Sequence, residues 1–98
     1  IMAKGLLKTK SWKYGIDGNF WLIGEIRQNR LYDVTGAKFI PYVNKAAFKA
    51  DKFDFIEELI FELESIPGWK LNQQAIYDYA RTTEGNPLFE AIEDTEDV

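Results

Sequence analysis

The sequence predicts an α+β fold: a curled, four-stranded antiparallel β-meander, close to a small partial barrel, followed by two main helices. Two patterns carry this expectation. Residues 6–43 hold short apolar and aromatic runs separated by Gly, Asp and Asn, which is how hairpin strands are punctuated. Residues 54–84 hold apolar side chains at helical spacing behind Asp54 and Asn72, both good helix-capping types.

The first hairpin is read from residues 6–14 and 20–27, with Asp17-Gly18 between them. A type I′ turn needs positive φ at both central residues, and Asp-Gly supplies it. A two-residue turn there pairs Tyr14 with Trp21, Trp12 with Ile23 and Lys10 with Glu25, each a favourable cross-strand pair. A turn at Gln28-Asn29 then leads to a strand over 30–34. Another at Thr35-Gly36 leads to a strand over 38–43, which sets Tyr32 opposite Phe39 and Asp33 opposite Lys38. In this register one face collects Trp12, Tyr14, Trp21, Ile23, Tyr32, Val34 and Phe39. The other collects Leu7, Phe20, Leu22, Ile26, Leu31 and Ile40. With two apolar faces the sheet must curl or be covered. Gly24 suits a bend or bulge, and Pro41 a strand end or edge.

Asn44 is placed to cap a short turn through Ala50. A main helix is expected over 54–66, opened by a capping-box pattern at Asp54 and Glu57. Its apolar arc is Phe55, Ile56, Leu59, Ile60, Leu63 and Ile66, and Pro67-Gly68 ends it. A second helix is expected over 73–84, capped by Asn72, stapled by Leu71 against Ile76 and stopped by Gly85. Asn86-Pro87 opens a short turn over 87–92, and the acidic tail 93–98 frays. No linker divides the chain, so residues 1–98 read as a single domain.

Composition narrows the function. The chain has 98 residues with no Cys and no His. Thiolate metal sites, disulfides and nucleophile–histidine catalysis therefore have no side chains to work with. The chemistry left is that of carboxylates, Lys and Tyr, and no third ligand or pocket joins pairs such as Glu57/Glu58 or Asp94/Glu96. The expectation is a non-enzymatic protein with no cofactor and no metal. No apolar run reaches the length of a membrane span, and the start Ile1-Met2-Ala3-Lys4-Gly5 lacks the apolar core of a signal peptide. Met2 reads as the natural first residue, and the protein as cytoplasmic, without a membrane partner.

The net charge of −4 hides an asymmetry. Residues 1–50 carry nine basic and three acidic side chains, whereas residues 51–98 carry three basic and thirteen acidic ones. The leading reading is a protein-binding module, a small acidic regulator or inhibitor that meets a basic partner through its acidic helical face, or pairs as a homodimer. The candidate residues are Phe61, Asp54, Glu57, Glu58 and Glu64. On the helical wheel Phe61 falls outside the apolar arc among carboxylates, like a binding hot spot with a polar rim. A second reading is nucleic-acid binding through Lys8, Lys10, Trp12, Tyr14, Trp21 and Arg27, since aromatic and basic side chains on a hairpin face can stack bases and track phosphates. The same aromatics serve equally well as core. A third reading is a minor structural subunit of a larger assembly. Two short stretches, at Gln73, Ile76 and Tyr79 and at Leu88-Phe89, partly fit the spacing of peptides that dock on sliding clamps.

Overall fold

The computed structural model describes residues 4–11, 15 and 17–95. Strands β1 (Gly5–Ser11), β2 (Asp17–Asn29), β3 (Val34–Tyr42), β4 (Phe61–Pro67) and β5 (Ile92–Asp94) form one sheet in the order β4-β3-β2-β1-β5. Every neighbouring pair is antiparallel. Helix α1 (Lys45–Ala50) follows β3, a 3-10 turn spans Glu57–Leu59, and helix α2 (Gln73–Thr82) lies between β4 and β5. The expected four-stranded partial barrel followed by two main helices is thus corrected to an open five-stranded sheet with two short helices. Its edges, β4 and β5, lie at opposite ends of the strand order and do not meet.

The largest departure is at residues 54–66, which form no α-helix, only the single 3-10 turn at Glu57–Leu59. Residues 61–67 are the edge strand β4, paired with β3 through Phe39↔Phe61, Lys38↔Glu62, Ala37↔Leu63 and Thr35↔Ile66. Between the last two pairs β4 carries one extra residue, and Ser65 sits there at φ 60°. Such a bulge restores Ile66 to the face that holds Phe61 and Leu63. It also turns an inward step of two residues into a step of three, which in sequence looks like a helical repeat.

A second bulge acts the same way in β2. Ile23 pairs with Phe39 but Glu25 pairs with Lys38, so Gly24 is the extra residue. Trp21 and Ile23 point to the core before it and Ile26 after it. The first hairpin also closes differently from expectation. Its pairs are Leu6↔Trp21 and Leu7↔Phe20, then Lys10↔Gly18 and Ser11↔Asp17. Asp17 and Gly18 therefore belong to β2 and not to a turn. Gly18 is buried, where a Cβ would come within 3.2 Å of Pro41 and 3.4 Å of Leu59. Packing, not turn geometry, favours glycine there. The expected partners Trp12 and Tyr14 lie outside the described residues.

The second turn falls at residues 30–33, after β2 runs on to Asn29. The side chain of Asn29 accepts hydrogen bonds from the N–H groups of Leu31 and Tyr32, at 3.1 and 3.2 Å. Of the expected strand 30–34, residues 30–33 are therefore a turn and Val34 opens β3, with Thr35-Gly36 inside that strand. Both helix caps form. Asn44 accepts from the N–H of Ala47 at 2.7 Å and Asn72 from that of Ala75 at 2.8 Å. Residues 92–94, expected to be a turn end and a frayed tail, pair with β1 as β5. The ammonium of Lys45 lies 3.2 Å from the Asp94 carboxylate and ties α1 to this strand.

The two faces of the sheet are covered by different helices. On one, α2 lays Ile76, Tyr77 and Ala80 against Leu6, Trp21, Ala37, Phe39 and Ile66, with Leu88 and Ala91 closing the cluster. On the other, α1 places Phe48 against Phe20 and Tyr42, with ring centroids 6.0 and 5.0 Å apart. Ile76 and Leu88 are thus core residues, which accounts for both stretches with clamp-peptide spacing.

Candidate functional site

The second face is only partly covered, and its open part is the candidate site. Phe20 and Leu22 of β2 and Ile40 and Tyr42 of β3 alternate with residues of the α2 side, as strand geometry requires. The bulge at Gly24 brings Ile40 down onto the backbone. A Cβ at Gly24 would lie 2.1 Å from Ile40 Cδ1. After β3 the chain turns through α1 and returns along residues 51–56. The Tyr42 hydroxyl donates to the Lys52 carbonyl at 2.7 Å, and the Ile56 N–H donates to the Pro41 carbonyl at 3.0 Å. These bonds hold the returning segment against β3. Leu22, Ile40, Tyr42, Phe48, Phe53 and Phe55 line the resulting groove of about 430 Å³.

Phe53 stands at the edge of this groove, 74% exposed. It is held there by local hydrogen bonding. Asp51 accepts from the Phe53 N–H at 3.0 Å through its side chain and from the Asp54 N–H at 3.0 Å through its carbonyl. An Asx turn of this kind fixes the backbone without burying the ring. The Lys52 ammonium sits 5.3 Å from the Phe53 ring centroid. Asp51, Asp54, Glu57 and Glu58 are all exposed, so the segment carries an acidic, solvent-facing edge. Burial, and then the charge of Asp51, pushes the Tyr42 phenol up from its ordinary pKa. The site is apolar and aromatic, with Lys52 in its lining and the more numerous carboxylates of Asp51, Asp54, Glu57 and Glu58 along its flank, a composition suited to holding an apolar anchor beside a basic group.

Farther along the same face the apolar lining gives way to charge. Glu25, Arg27, Lys38, Glu62 and Glu64 surround a small pocket of about 30 Å³ over Gly36. The Arg27 guanidinium lies 3.1 Å from Glu25 and 3.9 Å from Glu62. The hydrogen bond to Glu25, reinforced by the charges of Glu25 and Glu62, raises its pKa.

The residues expected to bind protein are divided by this architecture. Asp54, Glu57 and Glu58 lie on the segment beside the groove. Phe61 and Glu64 lie on β4 and point to opposite faces. Glu64 joins the charged pocket, whereas Phe61 stacks on Phe39 at 5.3 Å and meets Trp21 edge-on at 5.6 Å. The helical wheel that set Phe61 apart does not apply to a strand. Of the basic and aromatic set, Trp21 is fully buried and its indole N–H donates to the Lys8 carbonyl at 2.8 Å. Lys10 is exposed on β1, Arg27 is in the charged pocket, and Trp12 and Tyr14 lie outside the described residues.

Sequence reasoning missed Phe53, Tyr42 and Phe48. The available signal was Asp51-Lys52-Phe53-Asp54, an aromatic ring isolated among charges in a segment without apolar periodicity. Among the described residues, no group of three or more Asp or Glu side chains is placed to hold a metal ion. No helix among them is long and apolar enough to cross a membrane. Comparisons with protein-family models, curated proteins and solved structures found no match to this chain.

Proposed function

We propose that this protein is a non-enzymatic protein-binding module that seats an apolar side chain of its partner in the groove and meets basic residues with the acidic segment beside it. The observation that carries this reading is Phe53, largely exposed at the rim of an aromatic groove, between Lys52 and Asp54 and hydrogen-bonded through its N–H to Asp51. Covering a phenylalanine side chain is worth about 1.5–3 kcal/mol, and the rigid turn at Asp51 lowers the ordering cost of binding. A module of this kind acts by occupying its partner, as a regulator or inhibitor does, and we place it in the cytoplasm. The nucleic-acid reading is less well supported. Trp21 presents no ring face to stack a base, and Arg27 is already engaged by Glu25 and Glu62.

The test is titration with a panel of short peptides that combine one large apolar residue with Lys or Arg, followed by amide chemical shifts. Shifts centred on Leu22, Ile40, Phe48, Phe53 and Phe55, and an affinity at least about tenfold weaker in Phe53→Ala, a loss of about 1.4 kcal/mol, are expected. Shifts centred elsewhere, or binding indifferent to Phe53→Ala, would overturn the proposal.

A further inference from the structure

At the far end of β2 and β3 the turn 30–33 presents a second apolar feature, where the two cations Arg30 and Lys70 outnumber the one acid Asp33. Leu31 is 92% exposed and Tyr32 is 77% exposed. Beside them Trp69 carries the Arg30 guanidinium 5.3 Å from its ring centroid and the Lys70 ammonium 4.9 Å away. Among the described residues neither cation forms an ion pair. The tip is rigid. Asn29 caps it from within, the Gly68 N–H donates to the Asp33 carbonyl at 2.8 Å, and the Thr35 hydroxyl donates to the Gly68 carbonyl at 2.6 Å. Trp, Tyr and Arg around a protruding Leu are the residue types that dominate binding energy at protein interfaces. A nucleic-acid strand would use the ring and the cations but has no apolar pocket for Leu31. The complement of this tip is an apolar groove with carboxylates beside it.

That complement is present on the same chain. The groove offers the apolar lining, with the exposed carboxylates of Asp51 and Asp54 on either side of Lys52 and Phe53 at its rim and Glu64 farther along the face, where Arg27 already engages Glu25 and Glu62. One molecule cannot satisfy both features by itself. Gly24 at the groove and Leu31 at the tip are seven residues apart along β2 and its turn, roughly 23 Å at strand rise. We infer that the groove receives the β2–β3 tip of a second copy, with Leu31 and Tyr32 against the aromatic lining and Arg30 and Lys70 toward the carboxylates. This rests on the groove being a binding site, as proposed above, and names its occupant. Each copy donates a tip and offers a groove, so the contact either closes reciprocally as a two-fold pair or propagates into a ring or a chain of copies.

The experiment is light scattering of the full chain from about 10 μM to about 1 mM, the range in which weak self-association shows. Wild-type protein is expected to gain mass with concentration. Leu31→Asp and Phe53→Asp are each expected to stay monomeric, with circular dichroism unchanged because both side chains face solvent. An equimolar mixture of the two is expected to form a species of two copies and no more, because only one tip and one groove remain intact. The pair Tyr32→Ser and Phe53→Ser repeats the test with milder changes. A monomeric wild type across the range, a monomeric mixture, or a single variant that still assembles would overturn the inference. If the wild type is monomeric while Phe53→Ala still weakens peptide binding, the second copy is excluded and the groove reading stands. If Phe53→Ala affects neither, both fall.

Discussion

The main-chain N–H of Ile23, beside the β2 bulge, donates a 3.1 Å hydrogen bond to the hydroxyl of Tyr77 on α2. The two residues are 54 positions apart in the chain. One phenol thus joins the helix to the strand at the point where Gly24 interrupts the regular ladder. Tyr77→Phe keeps the ring packing and removes only the acceptor. It is expected to lower unfolding free energy by about 1 kcal/mol, the low end of the cost of leaving a donor unsatisfied, because Ile23 is partly buried. Denaturant titration measures this, and an unchanged midpoint would mean that water replaces the phenol.

Burial pushes the Tyr77 phenol up from its ordinary pKa, with the Ile23 hydrogen bond acting against it. Tyr42 moves the same way, through burial and then Asp51. A raised phenol pKa means that the unfolded chain loses its protons first, near about pH 10. Above that pH the unfolded state binds fewer protons than the folded state, so stability falls with rising pH. This contribution is fully present below about pH 10 and is lost as pH climbs through the folded-state values. The double variant Tyr42→Phe, Tyr77→Phe is expected to show a shallower alkaline decline in melting temperature than wild type.

Gly24→Ala brings a methyl group against Ile40, whose Cδ1 and Cγ1 would lie 2.1 and 2.8 Å away. Overpacking of this kind costs about 1–3 kcal/mol. The conflict is local, so Gly24→Ala combined with Ile40→Ala is expected to destabilise by less than the sum of the two single changes. A double-mutant cycle in urea gives that difference directly.

Phe53 and Phe61 should respond in opposite ways to truncation. Phe61→Ala opens a cavity beside Phe39 and Trp21 and is expected to cost about 3 kcal/mol, in the range of core Phe→Ala changes. Phe53→Ala removes a ring that faces solvent and is expected to stay within about 0.5 kcal/mol of wild type. The thermal midpoints of the two variants, measured side by side, show which ring belongs to the core. A large loss at Phe53 with none at Phe61 would place Phe53 in the core and Phe61 at the surface.

The aromatic groove was only partly legible in the sequence. Leu22, Ile40 and Phe20 could be placed together on one strand face, and Gly24 could be read as a bulge. Tyr42, Phe48 and Phe55 could not be joined to them, because their association depends on how the chain returns over β3 after α1. The acidic flank was legible as charge but was placed on a helix that does not form.

What the sequence determined by itself is what short-range chemistry controls. Asn44 and Asn72 cap helices because their side chains reach the N–H groups of Ala47 and Ala75 whatever the rest of the chain does. The apolar alternation in β2 and β3 specifies strands, and the helical spacing with its cap specifies α2. The tertiary structure decided the state of residues 54–66 and the register of every strand. The inward step from Leu63 to Ile66 is three residues long because Ser65 is a bulge residue, and a three-residue step is the spacing of a helix as well. Only the free edge of β3, which lies across α1 and the returning segment in the chain, resolves that ambiguity by pairing with the backbone of β4. The same long-range pairing turns Phe61 inward onto Phe39, while the returning segment that covers Pro41 leaves Phe53 in water.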